Sequence, residues 1–499
     1  MKNFLITLIA STFLLIPTLF ITKVVRAAQS PVKAITPHIR ASSWPDRIIV
    51  TPTPTPASSF SVTWRTDKTV KNTHGQIVKA SPNARYDVNA KEFSAKTYRT
   101  SPDKGINSQG QFSYPSNTGL PIVSYHSLTF YNLQADTNYN YRVEGASGKW
   151  SPWQQIKTAP TNTEQDFEFL YFGDAQNGIY SHWPLMLRHA WQHAPKAKFA
   201  VYAGDLVNEG ASDQQWSNWL NAGQFIHRSL PAMLVAGNHE YDWQMQENKQ
   251  KNWALSTLWQ DQFTLPLSPS LPKALQETAY VTHYPDLDVF VLDSEAQGNI
   301  ALLQAQATWL DRKLQNSSAK WRIVTLHHPI FSSCGMPLGT AGQDEPDVRA
   351  AFLPIMLKHN VDLVLQGHDH AYSRGSIGTE KDLAIAASST SLKQVKSVFV
   401  TTVAGPKTYP VKPTRWDEYR DYGVTLERIG ENTPTYQIVK KSNQQLSYQA
   451  FMGDGTLYDA FTLTKNKAEG KTIIVANDLP PERMFNNTGL YKTHYDLAE

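Results

Sequence analysis

The chain has 499 residues, of which 41% are hydrophobic and 11% aromatic. This length and apolar content exclude an intrinsically disordered protein and predict more than one hydrophobic core. Because Cys334 is the single cysteine, an intrachain disulfide and a thiolate metal cluster are also excluded. The formal net charge of +4 is too small to predict a nucleic-acid-binding module unless it is clustered.

An apolar run with basic residues on both sides occupies the N-terminus. Residues 4–21 are mostly apolar, Lys2 precedes them, and basic residues and the small pair Ala27 and Ala28 follow. This pattern predicts a signal peptide over residues 1–28. The protein is therefore expected to be exported (secreted, periplasmic or otherwise extracytoplasmic) and to have no membrane partner after cleavage. The alternative is an uncleaved anchor, because the run reaches the lower limit of a membrane-spanning length.

Short runs of alternating apolar and polar residues follow a polar linker at residues 29–43. They occur at Arg47–Thr51, Phe60–Trp64, Val123–Phe130 and Tyr139–Val143. Alternation with a period of two, without a helical period, is typical of half-buried strands. Residues 44–160 are therefore predicted to form a small β-sandwich with Trp64 in its core. The polar stretch at residues 81–119 is predicted to be a long insertion between strands.

Strands and helices alternate after about residue 163. Strands are predicted at Phe167–Phe172, Phe199–Tyr202, Ala232–Val235, Asp288–Leu292, Arg322–Leu326 and Val361–Leu365, and helices at His182–His193, Gln214–Ile226, Ala301–Leu314 and Val348–His359. This alternation predicts a layered α/β domain over residues 163–465. Later strands, such as Ser397–Thr401 and Tyr436–Val439, are expected to close a second sheet. Residues 466–499 are less patterned and are predicted to be a C-terminal extension.

Polar motifs follow several of these strands directly. They are Gly173-Asp174-Ala175-Gln176, Gly204-Asp205 to Asn208, Gly237-Asn238-His239-Glu240, His327-His328-Pro329 and Gly367-His368-Asp369-His370. The carboxyl ends of strands in an open α/β sheet meet at one edge, so these side chains are expected to converge. Carboxylates and imidazoles without thiolates suit Zn, Fe or Mn. Each motif alone is more often an ordinary turn, but the ordered set predicts a metal site.

The order of these motifs resembles that of the calcineurin-like metallophosphoesterase superfamily. Within it, the chain is similar to the purple acid phosphatase branch, at Val62–Thr66, Leu133–Tyr141, His370–Arg374 and Leu457–Asp459. The resemblance covers residues 44–465. It implies a four-layer α/β sandwich preceded by an all-β fibronectin-III-like sandwich.

The resemblance also implies two metal ions, divalent or mixed-valence, drawn from Fe, Zn or Mn. The implied ligands are Asp174, Asp205 and His370 for the first metal and Asn238, His327 and His368 for the second. Asp205 would bridge both metals. His239 would face the substrate phosphate, where it would stabilise the transition state or donate a proton to the leaving alkoxide. The spacing of His327 to Pro329 selects His327 as the ligand and leaves His328 beside the site, because adjacent strand residues point to opposite faces.

Two residues depart from the family pattern. Asn208 stands where the purple enzymes have the tyrosine that gives Fe(III) its colour, and Gln176 stands where many relatives have a histidine. Each is expected to be a weak ligand or to hydrogen-bond to a metal-bound water. The substrate-facing histidines usual after His327 are also missing, since Phe331–Pro346 contains no histidine and offers only Cys334, Asp344 and Glu345 as reactive side chains.

These observations predict an exported, acid phosphatase-like phosphoesterase. It would hydrolyse phosphate monoesters by direct attack of a metal-bridging hydroxide. A phosphodiesterase or nucleotidase is the nearest alternative, because specificity lies in loops around such a centre. A third possibility is a surface binding protein with a decayed site, which the sandwich and the tryptophans at positions 216, 219, 243, 253 and 259 would suit. The complete set of ligands for the second metal favours an enzyme.

Overall fold

A computed structural model describes residues 40–83, 85–102, 117, 120–245, 251–334, 344–378, 392–466 and 470–484. The predicted signal peptide lies outside these described residues, so export stays a prediction. Within the described ranges, the helices are too short or too polar to cross a membrane.

The N-terminal region is a sandwich of two four-stranded antiparallel sheets. Its strands are β1 (Asp46–Pro52), β2 (Phe60–Asp67), β3 (His74–Lys79), β4 (Lys91–Ser94), β5 (Lys96–Thr100), β6 (Val123–Phe130), β7 (Asn138–Val143) and β8 (Gln154–Lys157). The sheet orders are β1-β2-β6-β5 and β4-β3-β7-β8. Trp64 is fully buried between them and donates from Nε1 to the carbonyl of Glu144 at 2.8 Å. The predicted all-β fold and the core position of Trp64 are confirmed, while the likeness to fibronectin III stays a prediction.

The prediction of a long insertion between strands at residues 81–119 is wrong for the first half of this stretch. Strands β4 and β5 lie within it and pair with β3 and β6. Both are edge strands whose side chains are mostly exposed. Edge strands carry charged residues in place of a buried apolar face, so the alternation that marks a half-buried strand is missing from this stretch.

The remaining elements form the α/β domain. In chain order they are β9 (Phe167–Phe172), α1 (Trp183–His193), β10 (Ala200–Tyr202), α2 (Asp213–Ser229, kinked at Gln224), β11 (Ala232–Leu234), β12 (Tyr241–Met245), β13 (Lys251–Leu255), α3 (Thr257–Gln262), β14 (Tyr280–Tyr284), β15 (Leu287–Val291), α4 (Ile300–Gln315), β16 (Trp321–Thr325), α5 (Pro346–Lys358), β17 (Leu363–Gln366), β18 (Tyr372–Gly378), β19 (Leu392–Thr401), β20 (Val424–Gly430), β21 (Thr435–Lys441), β22 (Gln445–Met452), β23 (Leu457–Asn466) and β24 (Gly470–Val475).

The long sheet of this domain folds back on itself to make four layers. Its path is β11-β10-β9-β21-β22-β23-β24-β19-β17-β16-β15-β14. One apolar core lies between the two halves of the sheet. A second core covers one outer face with α1 and α2, and a third covers the other with α4 and α5. The predicted four-layer α/β sandwich is therefore confirmed.

The second sheet expected from the sequence is continuous with the first. Strand β24 makes the join, because it pairs with β23 on one side and with β19 on the other. This strand lies in the stretch predicted to be a C-terminal extension. Only two of its side chains, Thr472 and Ile473, are buried, so its hydrophobic pattern is too short to be read from the sequence.

A buried ion pair joins the sandwich to the α/β domain. Both terminal nitrogens of Arg47 donate to the carboxylate of Asp213 at the start of α2, at 2.7 and 2.8 Å. Arg65 of β2 lies 3.5 Å from the same carboxylate. All three side chains are almost fully buried. Asp213 therefore compensates the buried charge of Arg47, whereas Arg65 also pairs with Asp46 at 2.8 Å.

We expect Asp213→Asn to lower the free energy of unfolding by about 3–5 kcal/mol, because removing one partner leaves buried charge uncompensated. Urea denaturation followed by tryptophan fluorescence measures this loss. The control is Asp87→Asn, in which the lost partner belongs to an exposed ion pair with Arg85, and stability should not change. Equal stability of the two variants would contradict the prediction.

Candidate metal centre

The predicted ligands meet where parallel strands end. Strands β9, β10 and β11 are parallel, as are β15, β16, β17 and β19. Asp174, Asp205, Asn238, His327 and His368 each follow the carboxyl end of one of these strands within a few residues. The structure brings their side chains together.

Glycines leave the space that these side chains occupy. Gly204 has a φ of +90°, and a Cβ there would lie 2.5 Å from Nδ1 of His327. A Cβ at Gly367 would lie 2.4 Å from Oδ1 of Asp174. Any larger residue at either position would push a predicted ligand out of place.

His327 turns Nε2 toward the other predicted ligands. Its Nδ1 lies 2.8 Å from the carbonyl of Ala203, so Nδ1 carries a hydrogen and Nε2 is the atom that would bind a metal ion in place of a second proton. Nε2 lies 3.1 Å from Oδ1 of Asn238, 3.3 Å from Oδ1 of Asp205 and 3.3 Å from Nδ1 of His368. The lone pairs of these acceptor atoms repel one another, and a cation placed among them would bind them as ligands.

The electrostatics favour positive charge at this point. Burial lowers the pKa of His327, but the carboxylates of Asp205 and Asp174 outweigh burial and raise it to about 10. Burial likewise raises the pKa of Asp205, yet the imidazoles of His327 and His239 outweigh burial and hold it well below its usual range. Both shifts describe a site that attracts a proton or a metal ion.

The ligands predicted for the first metal show the same arrangement. Nδ1 of His370 donates to the carbonyl of Lys407 at 2.8 Å, which leaves a lone pair on Nε2. That nitrogen lies 3.2 Å from Oδ2 of Asp174, a buried oxygen that receives no hydrogen bond. Two acceptors so close together in the interior fit a metal ion between them.

Asp205 lies between the two groups of ligands. Oδ1 is 3.3 Å from Nε2 of His327 and accepts the backbone N–H of His239 at 2.9 Å. Oδ2 accepts from the amide of Gln176 at 2.7 Å, and the same amide nitrogen is 3.1 Å from Nε2 of His370. The position of Asp205 is that expected of a bridging ligand.

The two residues that depart from the family pattern make hydrogen bonds here. Gln176 turns its amide nitrogen toward Asp205 and His370. The side-chain oxygen of Asn208 is 3.4 Å from the amide nitrogen of Asn177, and its backbone carbonyl accepts from Nδ1 of His239 at 2.7 Å. Both side chains therefore make hydrogen bonds beside the predicted ligands, and their role toward a metal stays a prediction.

Glu240 is a site residue that the sequence analysis missed. Its buried carboxylate accepts the backbone N–H groups of Asp205, Leu206 and Gly237, each at 2.8 Å. It therefore ties the loop of Asp205 to the loop of Asn238. A glutamate directly after Asn238 and His239 was the available signal, but only the fold shows which backbone groups it serves.

His328 lies closer to the ligands than the strand rule predicted. Ligand nitrogens of His327, His328 and His368 all lie within 4.8 Å of one another. The expectation of opposite faces is wrong because β16 ends at Thr325, before the two histidines. Burial, with the neighbouring His327, lowers the pKa of His328 to about 3, so the ring is neutral.

A serine hydroxyl contacts one ring nitrogen of His328, and a carboxylate lies near the other. Nδ1 of His328 lies 2.9 Å from the hydroxyl of Ser294, and Nε2 lies 3.8 Å from Oε2 of Glu295. Burial raises the pKa of Glu295 to about 7. This group lies beside the predicted ligands, although no motif in the sequence indicated it.

The segment after His327 contributes less than its sequence suggested. Cys334 is fully buried, and residues 335–343 lie outside the described residues. Asp344 accepts from Arg349 at 2.5 Å, and burial raises the pKa of Glu345 to about 7. Within the described part of this segment, Asp344 is thus paired with an arginine, and Glu345 is a carboxyl group with a raised pKa.

Comparisons with known proteins give two family matches. Residues 167–372 match the calcineurin-like phosphoesterase family, and residues 45–158 match the N-terminal domain of purple acid phosphatases. Among solved structures, purple acid phosphatase from yellow lupin (Lupinus luteus) seeds aligns with a TM-score of 0.65 at 16% identity, over 85% of this chain and 75% of that one. PhoD aligns with a TM-score of 0.58 at 13% identity, over 92% and 96%. These likenesses concern the fold.

Curated relatives share the same region. Purple acid phosphatase 1 of Ipomoea batatas is 25% identical over 50% of this chain and 51% of its own length. Fe(3+)-Zn(2+) purple acid phosphatase 12 of Arabidopsis thaliana is 24% identical over 50% and 52%. The chain thus spans about half the length of these relatives.

We expect Glu240→Ala to weaken metal binding by about 10–100-fold, the usual effect of losing a group that orients ligands. The alanine variant leaves three backbone N–H groups without their acceptor, whereas Glu240→Gln keeps one side-chain oxygen and should lose less. Metal content after dialysis against graded chelator concentrations measures both. An alanine variant that retains metal like the unmodified protein would contradict this role.

We also expect the protein loaded with Fe(III) and Zn(II) to lack a tyrosinate-to-iron absorption band, because Asn208 has no phenol. Within the described residues, Tyr409 contacts a predicted ligand, since its ring centroid lies 4.6 Å from that of His370. A visible spectrum of the loaded protein tests this. A charge-transfer band that disappears in Tyr409→Phe would overturn the prediction and identify the phenolate.

Proposed function

Because the chain belongs to the calcineurin-like metallophosphoesterase superfamily and carries a purple acid phosphatase N-terminal domain, we propose that it is a dinuclear-metal phosphoesterase that hydrolyses phosphate monoesters. One observation carries the proposal. The lone-pair nitrogens of His327 and His370 face carboxylate oxygens of Asp205 and Asp174 in the interior. Buried acceptors in this arrangement need cations.

The proposed ligands divide into two sets that share one carboxylate. They are Asp174, Asp205 and His370 for the first metal, and Asp205, Asn238, His327 and His368 for the second. The donor set of nitrogen and oxygen suits Zn, Fe or Mn. When bound, two such ions supply an activated water and neutralise phosphate charge.

His239 is the proposed proton donor and phosphate contact. Its Nδ1 donates to the carbonyl of Asn208, which fixes the ring and leaves Nε2 available. The imidazole is 28% exposed, whereas Asp205 beside it is buried. A protonated Nε2 would reach a phosphate oxygen or the departing alkoxide from the solvent side.

Asp205 is expected to serve both metal binding and turnover. Its two oxygens contact both groups of ligands, and its carboxylate holds the backbone of His239. Loss of its charge therefore removes a shared ligand and disturbs the position of the proton donor. The substitution is therefore expected to affect metal binding and turnover together, and not only the stability of the fold.

We expect Asp205→Asn to lose metal and to lower kcat/KM by more than about 100-fold, the scale of removing one electrostatic contact to a transition state. The measurement is metal analysis together with hydrolysis of 4-nitrophenyl phosphate and bis(4-nitrophenyl) phosphate. Asp417→Asn, which alters an exposed carboxylate, is the control and should behave like the unmodified protein.

Three outcomes would contradict the proposal. Full activity of Asp205→Asn would refute the site. Turnover of the diester alone would replace the monoesterase with a phosphodiesterase. A metal-loaded protein without turnover of either ester would favour a binding protein that retains the fold.

A further inference from the structure

A hairpin of two aromatic strands begins directly at the metal-site loop. The turn Asn238–Glu240 leads without a break into β12, and β12 pairs with β13. Trp243 and Trp253 are direct cross-strand partners, with ring centroids 5.5 Å apart and ring planes at 64°. The two indoles therefore form one contiguous aromatic surface.

These indoles differ from the other tryptophans that the sequence analysis singled out. Trp216, Trp219 and Trp259 are fully buried in the core beside α2 and α3. Trp243 and Trp253 are 37% and 42% exposed. Paired indoles left in water next to a loop of predicted ligands offer apolar area that a bound molecule can cover.

Hydrogen bonds attach the hairpin to the surroundings of the metal centre. Nε1 of Trp253 donates to Oε1 of Glu295 at 2.9 Å, and Glu295 faces His328. His328 in turn packs with its ring centroid 4.3 Å from that of His368. The hydroxyl of Tyr241 donates to Asp293 at 2.6 Å. One hydrogen bond therefore ties Trp253 to Glu295, and Glu295 lies beside His328, which packs against a proposed ligand.

The predicted ligand region is most accessible on the side where the hairpin begins. Asn208, Asn238 and His239 are half-buried, whereas Asp174, Asp205 and His327 are buried. A phosphate that reaches His239 must therefore carry its ester group outward past this loop. The hairpin continues from the same loop.

Carboxylates near the opening restrict what that ester group can be. Glu209 follows Asn208 and interacts electrostatically with His239, and Glu295 lies against Trp253. Neither acid supplies a positive charge to pair with additional phosphates on the ester group. An uncharged, flat group needs no such partner and gains from stacking on indole.

We propose that Trp243 and Trp253 form a stacking surface for a planar aromatic ester group, so that the substrates are nucleoside monophosphates. This inference rests on the proposed phosphoesterase function and names its substrate class. Base–aromatic stacking tolerates any base, because every base has a π-face. An aryl phosphate shares this chemistry, and the experiment separates the two sources.

The test compares three monoesters in steady-state kinetics. They are adenosine 5′-monophosphate, 4-nitrophenyl phosphate and glycerol 1-phosphate, which has no aromatic ring. Trp243→Ala should raise KM for adenosine monophosphate about tenfold and leave glycerol phosphate unchanged. Trp243→Phe should retain most of the affinity. Trp44→Ala, which removes an indole that is 53% exposed on the sandwich, is the matched control and should change nothing.

The readouts separate this inference from the function on which it rests. Hydrolysis of glycerol phosphate by the unmodified protein establishes the phosphoesterase, whatever the tryptophans do. Calorimetric binding of adenosine, which needs no turnover, should weaken about tenfold in Trp243→Ala. Equal changes for all three esters, or unaltered adenosine binding, would overturn the stacking surface. A loss confined to 4-nitrophenyl phosphate would overturn the nucleoside assignment.

Discussion

Buried nitrogen and oxygen acceptors face one another where the central strands end, and the rest of the site is arranged around them. The carbonyls of Ala203 and Lys407 fix the hydrogens of His327 and His370 on Nδ1, so that both Nε2 atoms turn lone pairs toward carboxylates. Such groups are costly in a protein interior without a cation. Glu240 binds the backbone of the two neighbouring loops and thereby keeps these acceptors in place.

The domain junction is connected to this centre through α2. Asp213, which pairs with the buried Arg47 of the sandwich, stands at the start of this helix. Two residues later, the side-chain oxygen of Gln215 accepts the backbone N–H groups of Asn208 and Glu209. Docking of the sandwich and the position of the loop after Asp205 therefore depend on the same helical turn. This connection gives the sandwich a structural role in the proposed enzyme.

The aromatic hairpin adds a second surface with a different physical basis. The metal-site loops recognise charge, whereas Trp243 and Trp253 offer exposed apolar area held in place by Glu295. The tyrosine usual in the purple enzymes is replaced by Asn208, whose backbone carbonyl orients His239. The predicted ligands thus lie together in this chain, and Asn208 distinguishes their surroundings from the pattern of the purple enzymes.

By itself, the sequence determined the layered fold, the positions of the main strands and the set of candidate ligands, because buried strands and the motifs after them are local patterns. β9 was predicted to the residue, but β4, β5 and β24 were missed, since edge and short strands lack a buried apolar face. Only the tertiary structure decided that Glu240 joins two loops, that His328 turns toward the ligands, and which tryptophans stay exposed. These properties depend on contacts between segments far apart in the chain, which no local pattern encodes.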